Sequence, residues 1–137
     1  MFEQCLYFNT TSLARKLERE WTIAFKPFGL TPSQAFMLRV ILEKPQSYQN
    51  ALAKEMNITK PTASRGLDGL EKLGLIERRP SPDDAREIEV HPTRKAKAMK
   101  DGLNAASGEV TKKFKKLLGS DEFLDVVGKL RGISEIL

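Results

Sequence analysis

The hydrophobic period changes at Gly74, and that change constrains what the chain can build. Before it, Ala63, Gly66, Leu67, Leu70 and Leu73 recur on one face at helical spacing. After it, LIERR and EIEV read as two short strands around the turn-rich PSPDDAR. The spacing predicts a helix from Thr59 to Leu73, with Thr59 as N-cap, Pro61 in the first turn and Gly74 as the left-handed stop. Asn57-Ile58-Thr59 predicts a tight turn ahead of it. The outer face of this helix is polar: Pro61, Ser64, Arg65 and Asp68, with Lys60 and Thr62 at its N-terminal end. In the second strand Ile88 and Val90 share one side, and Glu87, Glu89 and His91 the other.

The flanks are helical. Leu13, Leu17, Trp21, Ala24, Phe25 and Phe28 recur every three or four residues until Pro27 and Gly29 punctuate the pattern. A second helix is predicted from about Thr31, with Pro32 at N1, through Phe36, Met37, Val40 and Ile41 to Lys44, where Pro45 stops it. A short helix follows from Tyr48 to Met56, with Leu52, Ala53 and Met56 inward. After Pro92-Thr93 a long helix carries Met99, Leu103, Ala106, Val110, Phe114 and Leu117. Gly119-Ser120-Asp121 breaks it, and a last helix carries Phe123, Val126, Val127, Leu130, Ile133 and Leu137.

Composition removes several function classes. The longest stretch free of charged side chains, Pro27 to Leu38, is far short of the roughly 20 apolar residues a bilayer span needs. MFEQCLYFN lacks the basic flank of a signal peptide, so a reducing cytoplasm is the expected address. One Cys and one His exclude a disulfide framework and the usual multi-cysteine zinc sites, and His91 has no metal-ligand neighbour in sequence. No metal or cofactor is expected. A Gly-rich phosphate loop and a nucleophile elbow are both missing, which argues against an enzyme.

Helix, helix, short helix, tight turn, polar-faced helix, hairpin: this is the order of a winged helix-turn-helix, mainly α with a small β-hairpin wing. The Thr59–Leu73 helix suits a major groove about 12 Å wide, and its N-terminus offers free N–H groups to phosphate. Arg65 is the candidate for a bidentate guanine contact, or else a phosphate or ion-pair contact; Thr62 and Ser64 can donate or accept at base edges. Arg86 in the hairpin loop is the candidate for the flanking minor groove, the alternative being an Arg86–Asp84 pair that only shapes the loop. Arg78 and Arg79 point opposite ways along a strand, one toward phosphate and one toward a surface acid. Tyr48 and Gln49 could touch phosphate from the bracing helix. Lys60 and Pro61 complete the proposed DNA-facing set.

These residues resemble the MarR (multiple antibiotic resistance regulator) family of transcription factors. GLTPSQAFML is similar to that family's second-helix opening, and ALAKEMNITKPTASRGLDGLEKLGLIERR to its helix-turn-helix and first wing strand. Asp84-Ala85-Arg86, followed by Val90 and Thr93, resembles its wing signature. Ala85, Pro92 and Ala96 depart from it, standing where Arg, Leu and Gly are common. The resemblance implies a homodimer joined by terminal helices, residues 1–29 and 94–137, around a DNA-binding module at 30–93. It further implies a pseudo-palindromic operator on double-stranded DNA and a repressor released by a small-molecule effector or an oxidant. Some relatives sense hydroperoxides through a lone cysteine in the first helix. Cys5, two residues from Tyr7, is therefore a possible redox sensor, the alternative being a small packed apolar residue.

Charge complicates the picture. The chain carries 23 basic and 18 acidic residues, a net of +5. Arg94 to Lys116 holds eight basic and two acidic residues, whereas Lys60 to Thr93 holds six basic and seven acidic, a net of −1. Lys112, Lys113, Lys115 and Lys116 read as the solvated face of a helix. The reading module is thus no basic patch. DNA binding would require Glu71, Glu77, Glu87 and Glu89 to face away from phosphate, and a protein-interaction module is the competing function.

Overall fold

A computed structural model describes residues 1–137. Six helices and a three-stranded antiparallel sheet alternate in chain order: α1 (Leu6–Phe25), α2 (Pro32–Glu43), β1 (Ser47–Tyr48), α3 (Gln49–Glu55), α4 (Lys60–Lys72), β2 (Ile76–Pro80), β3 (Ile88–Pro92), α5 (Arg94–Leu118) and α6 (Ser120–Ile136). A 3-10 turn, Lys26–Phe28, separates α1 from α2, and Gly29 closes it at φ 70°.

Local chemistry sets most boundaries. At α2 the Thr31 hydroxyl accepts from the Gln34 N–H while the Gln34 side chain accepts from the Thr31 N–H, a reciprocal capping box with Pro32 in the first turn. Thr93 caps α5 with its hydroxyl alone, which accepts from the Ala96 N–H. Gly74, at φ 73°, ends α4: its N–H donates to the Glu71 carbonyl and that of Leu75 to the Leu70 carbonyl. Only a residue free of Cβ strain adopts that left-handed turn cheaply.

The core lies where α2, α4 and the sheet meet α5. Phe25, Leu38, Ile41, Leu52, Leu67, Leu70, Ile76, Val90 and Leu103 are the large side chains wholly withdrawn from solvent. Gly66 faces Met37 so closely that a Cβ there would meet Met37 Cε at 2.7 Å, which is how α4 approaches α2. Strand β3 is central, pairing Arg78 with Val90 on one side and Ser47 with Val90 on the other.

Several expectations need correction. The wing is not a two-stranded hairpin alone. Ser47–Tyr48 adds a third strand, so Tyr48 is the N-cap of α3 rather than part of the helix. Leu73, expected inward, is exposed, because the helix ends there and Gly74 turns the chain away. Only Gly119 breaks the long helix; Ser120 and Asp121 already belong to α6. Along α6 no residue is buried, although its apolar spacing predicts a packed helix. No helix is long and apolar enough to cross a membrane.

Candidate nucleic-acid interface

The polar face of α4 is organised by its own first turns. The Thr59 hydroxyl oxygen accepts from the Thr62 N–H at 3.3 Å and donates to Thr62 Oγ1 at 2.9 Å. Arg65 Nη2 then donates to that same Thr62 oxygen at 3.4 Å. Residues 59, 62 and 65 therefore form one i,i+3 row, which lays the guanidinium along the exposed face toward the helix N-terminus. Lys60, Pro61, Thr62 and Arg65 are exposed there and Ser64 is half-buried. The Asn57 backbone, at φ 57°, makes the sharp entry from α3.

The wing loop, residues 81–87, is built on a buried serine. Ser81 Oγ accepts from the N–H groups of Asp83 and Asp84 at 3.2 and 3.4 Å and lies 3.4 Å from the Tyr48 hydroxyl. Ser-Pro-Asp-Asp, within the turn-rich PSPDDAR stretch, is a side-chain turn signal of this kind. At the loop tip the Asp84 carboxylate accepts the Arg86 backbone N–H at 3.0 Å and the guanidinium at 3.2 and 3.3 Å. Arg86's hydrogen bonds hold Asp84 below the usual carboxylate range. The loop-shaping pair is thus present, yet the Arg86 side chain is 90% exposed and remains accessible.

The remaining candidates divide. Arg79 is exposed and pairs with Glu77 at 2.7 Å. Arg78 is the arginine engaged with helix acids: its Nη2 bonds Asp68 and also Glu71, the latter at 3.1 Å, and its side chain is only 19% exposed. This fork holds Glu71 below its ordinary value and raises Arg78. Tyr48 leans on the wing base through Ser81, and Gln49 is half-buried with its Oε1 enclosed and unpaired, so the two do not form a free polar pair on α3. His91 bonds Glu89 at 3.0 Å. Cys5 is exposed as the N-cap of α1, its Sγ accepting from the Phe8 N–H at 3.5 Å, which corrects the reading of a packed apolar residue. Lys113 pairs with Glu20 at 3.1 Å, and Lys113 and Lys115 lie over the rings of Phe114 and Phe123.

Behind the reading head, a cavity of about 550 Å³ opens between α1, α2, α5 and α6, walled mainly by Leu13, Leu17, Trp21, Phe114, Phe123 and Leu130. The Trp21 indole stacks on Phe114 at 6.0 Å and donates to Ser107 Oγ at 3.1 Å. Arg39 reaches this wall. Its Nε–H donates to Asn104 Oδ1 at 2.8 Å and its guanidinium lies 5.0 Å from the Phe36 ring, held by an amide and an aromatic ring rather than a carboxylate. Burial lowers its pKa, against the pull of Glu43. Sequence reasoning missed Arg39, because the residues that line this cavity come from four separate helices.

Residues 28–87 match the sequence pattern of the MarR family. The HTH-type transcriptional regulator YybA of Bacillus subtilis is 33% identical over 85 residues, covering 62% of this chain and 57% of YybA. The match therefore spans little more than half of that relative's length. Among solved structures, the MepR–DNA complex of S. aureus superposes with a TM-score of 0.88 over 98% of this chain and 100% of that one, at 20% identity. The transcriptional repressor CouR, bound to a 23-mer DNA duplex, gives 0.82 over 96% and 93%, at 26% identity. A capped polar-faced helix and a wing closed on Ser81 thus accompany a match to the MarR family over residues 28–87 and a winged helix-turn-helix fold shared with these structures.

Proposed function

We propose that the protein is a cytoplasmic, sequence-specific DNA-binding transcriptional regulator. It acts as a homodimeric repressor, with residues 30–93 reading DNA and residues 1–29 and 94–137 pairing the subunits. The carrying observation is the exposed set of Lys60, Pro61, Thr62 and Arg65 on the first turns of a capped helix, beside a wing that offers Arg86. Arg79 is a further phosphate contact on the wing strand, and Ser64 a base-edge contact. Tyr48 and Gln49 buttress the wing base rather than lead the contact. Pairing through the terminal helices is supported by α6, a helix of 17 residues that its own chain leaves without a single buried side chain. The two heads then read half-sites about 10 base pairs apart.

Release from DNA is assigned to an amphipathic acid in the cavity, its apolar body against Trp21 and Phe114 and its carboxylate on Arg39. An oxidant acting at Cys5 is a second route, favoured by the exposure of that thiol. A Cys5→Ser protein would then keep its DNA when treated with peroxide while the unsubstituted protein lets go; equal release from both removes this route.

Selection of duplexes from a random pool at about 0.15 M salt, an ionic strength that leaves specific contacts in force, tests the whole reading. The expected result is an enriched inverted repeat. No enrichment by folded, reduced protein would favour a protein-interaction module. On the selected operator, Arg65→Ala is expected to cost about 1–3 kcal/mol and to relax one base position, measured by binding to single-base variants of the site. An equal loss on every duplex would make Arg65 a phosphate contact instead.

A further inference from the structure

Seven acids against six bases make residues 60–93 a poor partner for a polyanion, and the worst placed of the acids are on the recognition helix itself. Asp68 follows Arg65 by three residues and Ser64 by four, so it shares their exposed face, and Glu71 follows by another turn. Both carboxylates are about half exposed. Duplex DNA presents roughly one negative charge per 1.7 Å, so bare carboxylates there would oppose docking.

Arg78 meets both. It rises from β2, with Nε donating to Glu71 Oε2 at 3.5 Å, Nη2 to Glu71 Oε1 at 3.1 Å, and Nη2 also bonded to Asp68. The guanidinium is less exposed than either acid it holds, 19% against 50% and 44%, so it sits beneath them, between sheet and helix. From there it compensates the two charges without projecting past them. The other ion pairs within residues 60–93 each take one acid, Arg79 with Glu77 and Arg86 with Asp84, while Glu89 hydrogen-bonds His91.

Resting on the DNA-binding reading above, we propose that Arg78 is a positioning residue of the recognition surface. It neutralises and ties down Asp68 and Glu71 so that α4 can lie against phosphate, and it does not itself contact DNA. Losing it leaves two unpaired carboxylates under the docked duplex, and most of the cost of breaking such a pair is the charge left behind.

The test is a cycle of four proteins: unsubstituted, Arg78→Gln, Asp68→Asn with Glu71→Gln, and all three changes together. Each is titrated against a fluorescent operator duplex over a salt series, with circular dichroism and thermal unfolding as the fold control. Arg78→Gln is expected to weaken binding on the order of tenfold when the acids are present, and hardly at all when they are amides. Arg78→Lys, which keeps the charge, is expected to retain most of the affinity. An equal Arg78→Gln loss in both backgrounds, with a shallower salt slope, would make Arg78 a direct phosphate contact and overturn the proposal. No Arg78→Gln effect would overturn it as well. If the unsubstituted protein binds no duplex, the DNA-binding reading itself fails, and this inference with it.

Discussion

Phe25→Ala is expected to lower folding stability by about 3–5 kcal/mol, the range for deleting a large aromatic side chain from a packed interior. Phe25 is 0% exposed and is the only buried residue of α1. Its ring meets Phe36 of α2 edge-on at 5.8 Å. The 3-10 turn that follows at once leaves the site little room to collapse around the void. Denaturant unfolding at one fixed protomer concentration measures the effect, because any coupling to association makes stability depend on concentration. A lowered midpoint with an unchanged slope places the loss in the folded core. A loss below about 1 kcal/mol would mean that α1 is anchored elsewhere, since so small a cost is typical of surface substitutions.

What was legible in the sequence shares one property: it is local. The caps at Thr31, Thr59 and Thr93 and the stop at Gly74 each depend on residues within about one turn, so side-chain identity and spacing were enough. The change of period at Gly74 likewise reported a real passage from α4 into β2. Strand β1 was invisible because two residues carry no period, and it exists only because β3 offers a free edge. Arg78 could be narrowed to phosphate or acid by strand alternation, but Asp68 and Glu71 lie ten and seven residues earlier on another element. Packing chooses between those partners, and spacing does not report packing. Cys5 had two readings open in the sequence, sensor or packed apolar residue; a lone cysteine is commonly packed, yet here its sulfur serves as a cap at an exposed helix start.

Charging the apolar stripe of α6 is expected to have the largest functional effect. The reasoning begins with Leu130 and Ile133, which are 42% and 41% exposed on a helix that its own chain does not bury. Leu130→Asp with Ile133→Asp removes little from the subunit's own core, which holds neither residue. In a subunit interface the same two carboxylates would be buried unpaired, at a cost of several kcal/mol. The double variant should therefore run as a monomer, by light scattering, at concentrations where the unsubstituted protein is a dimer. Its reading head is untouched, so affinity for an isolated half-site should stay the same. Affinity for the full inverted repeat should fall by about 10²–10⁴-fold, because the second head no longer binds at the high effective concentration that linkage supplies. A double variant that still dimerises would move the interface off α6. A monomer that binds the full site as tightly as before would show that each head reads DNA alone, and the exposed α6 face would then need a partner other than a second copy of this chain.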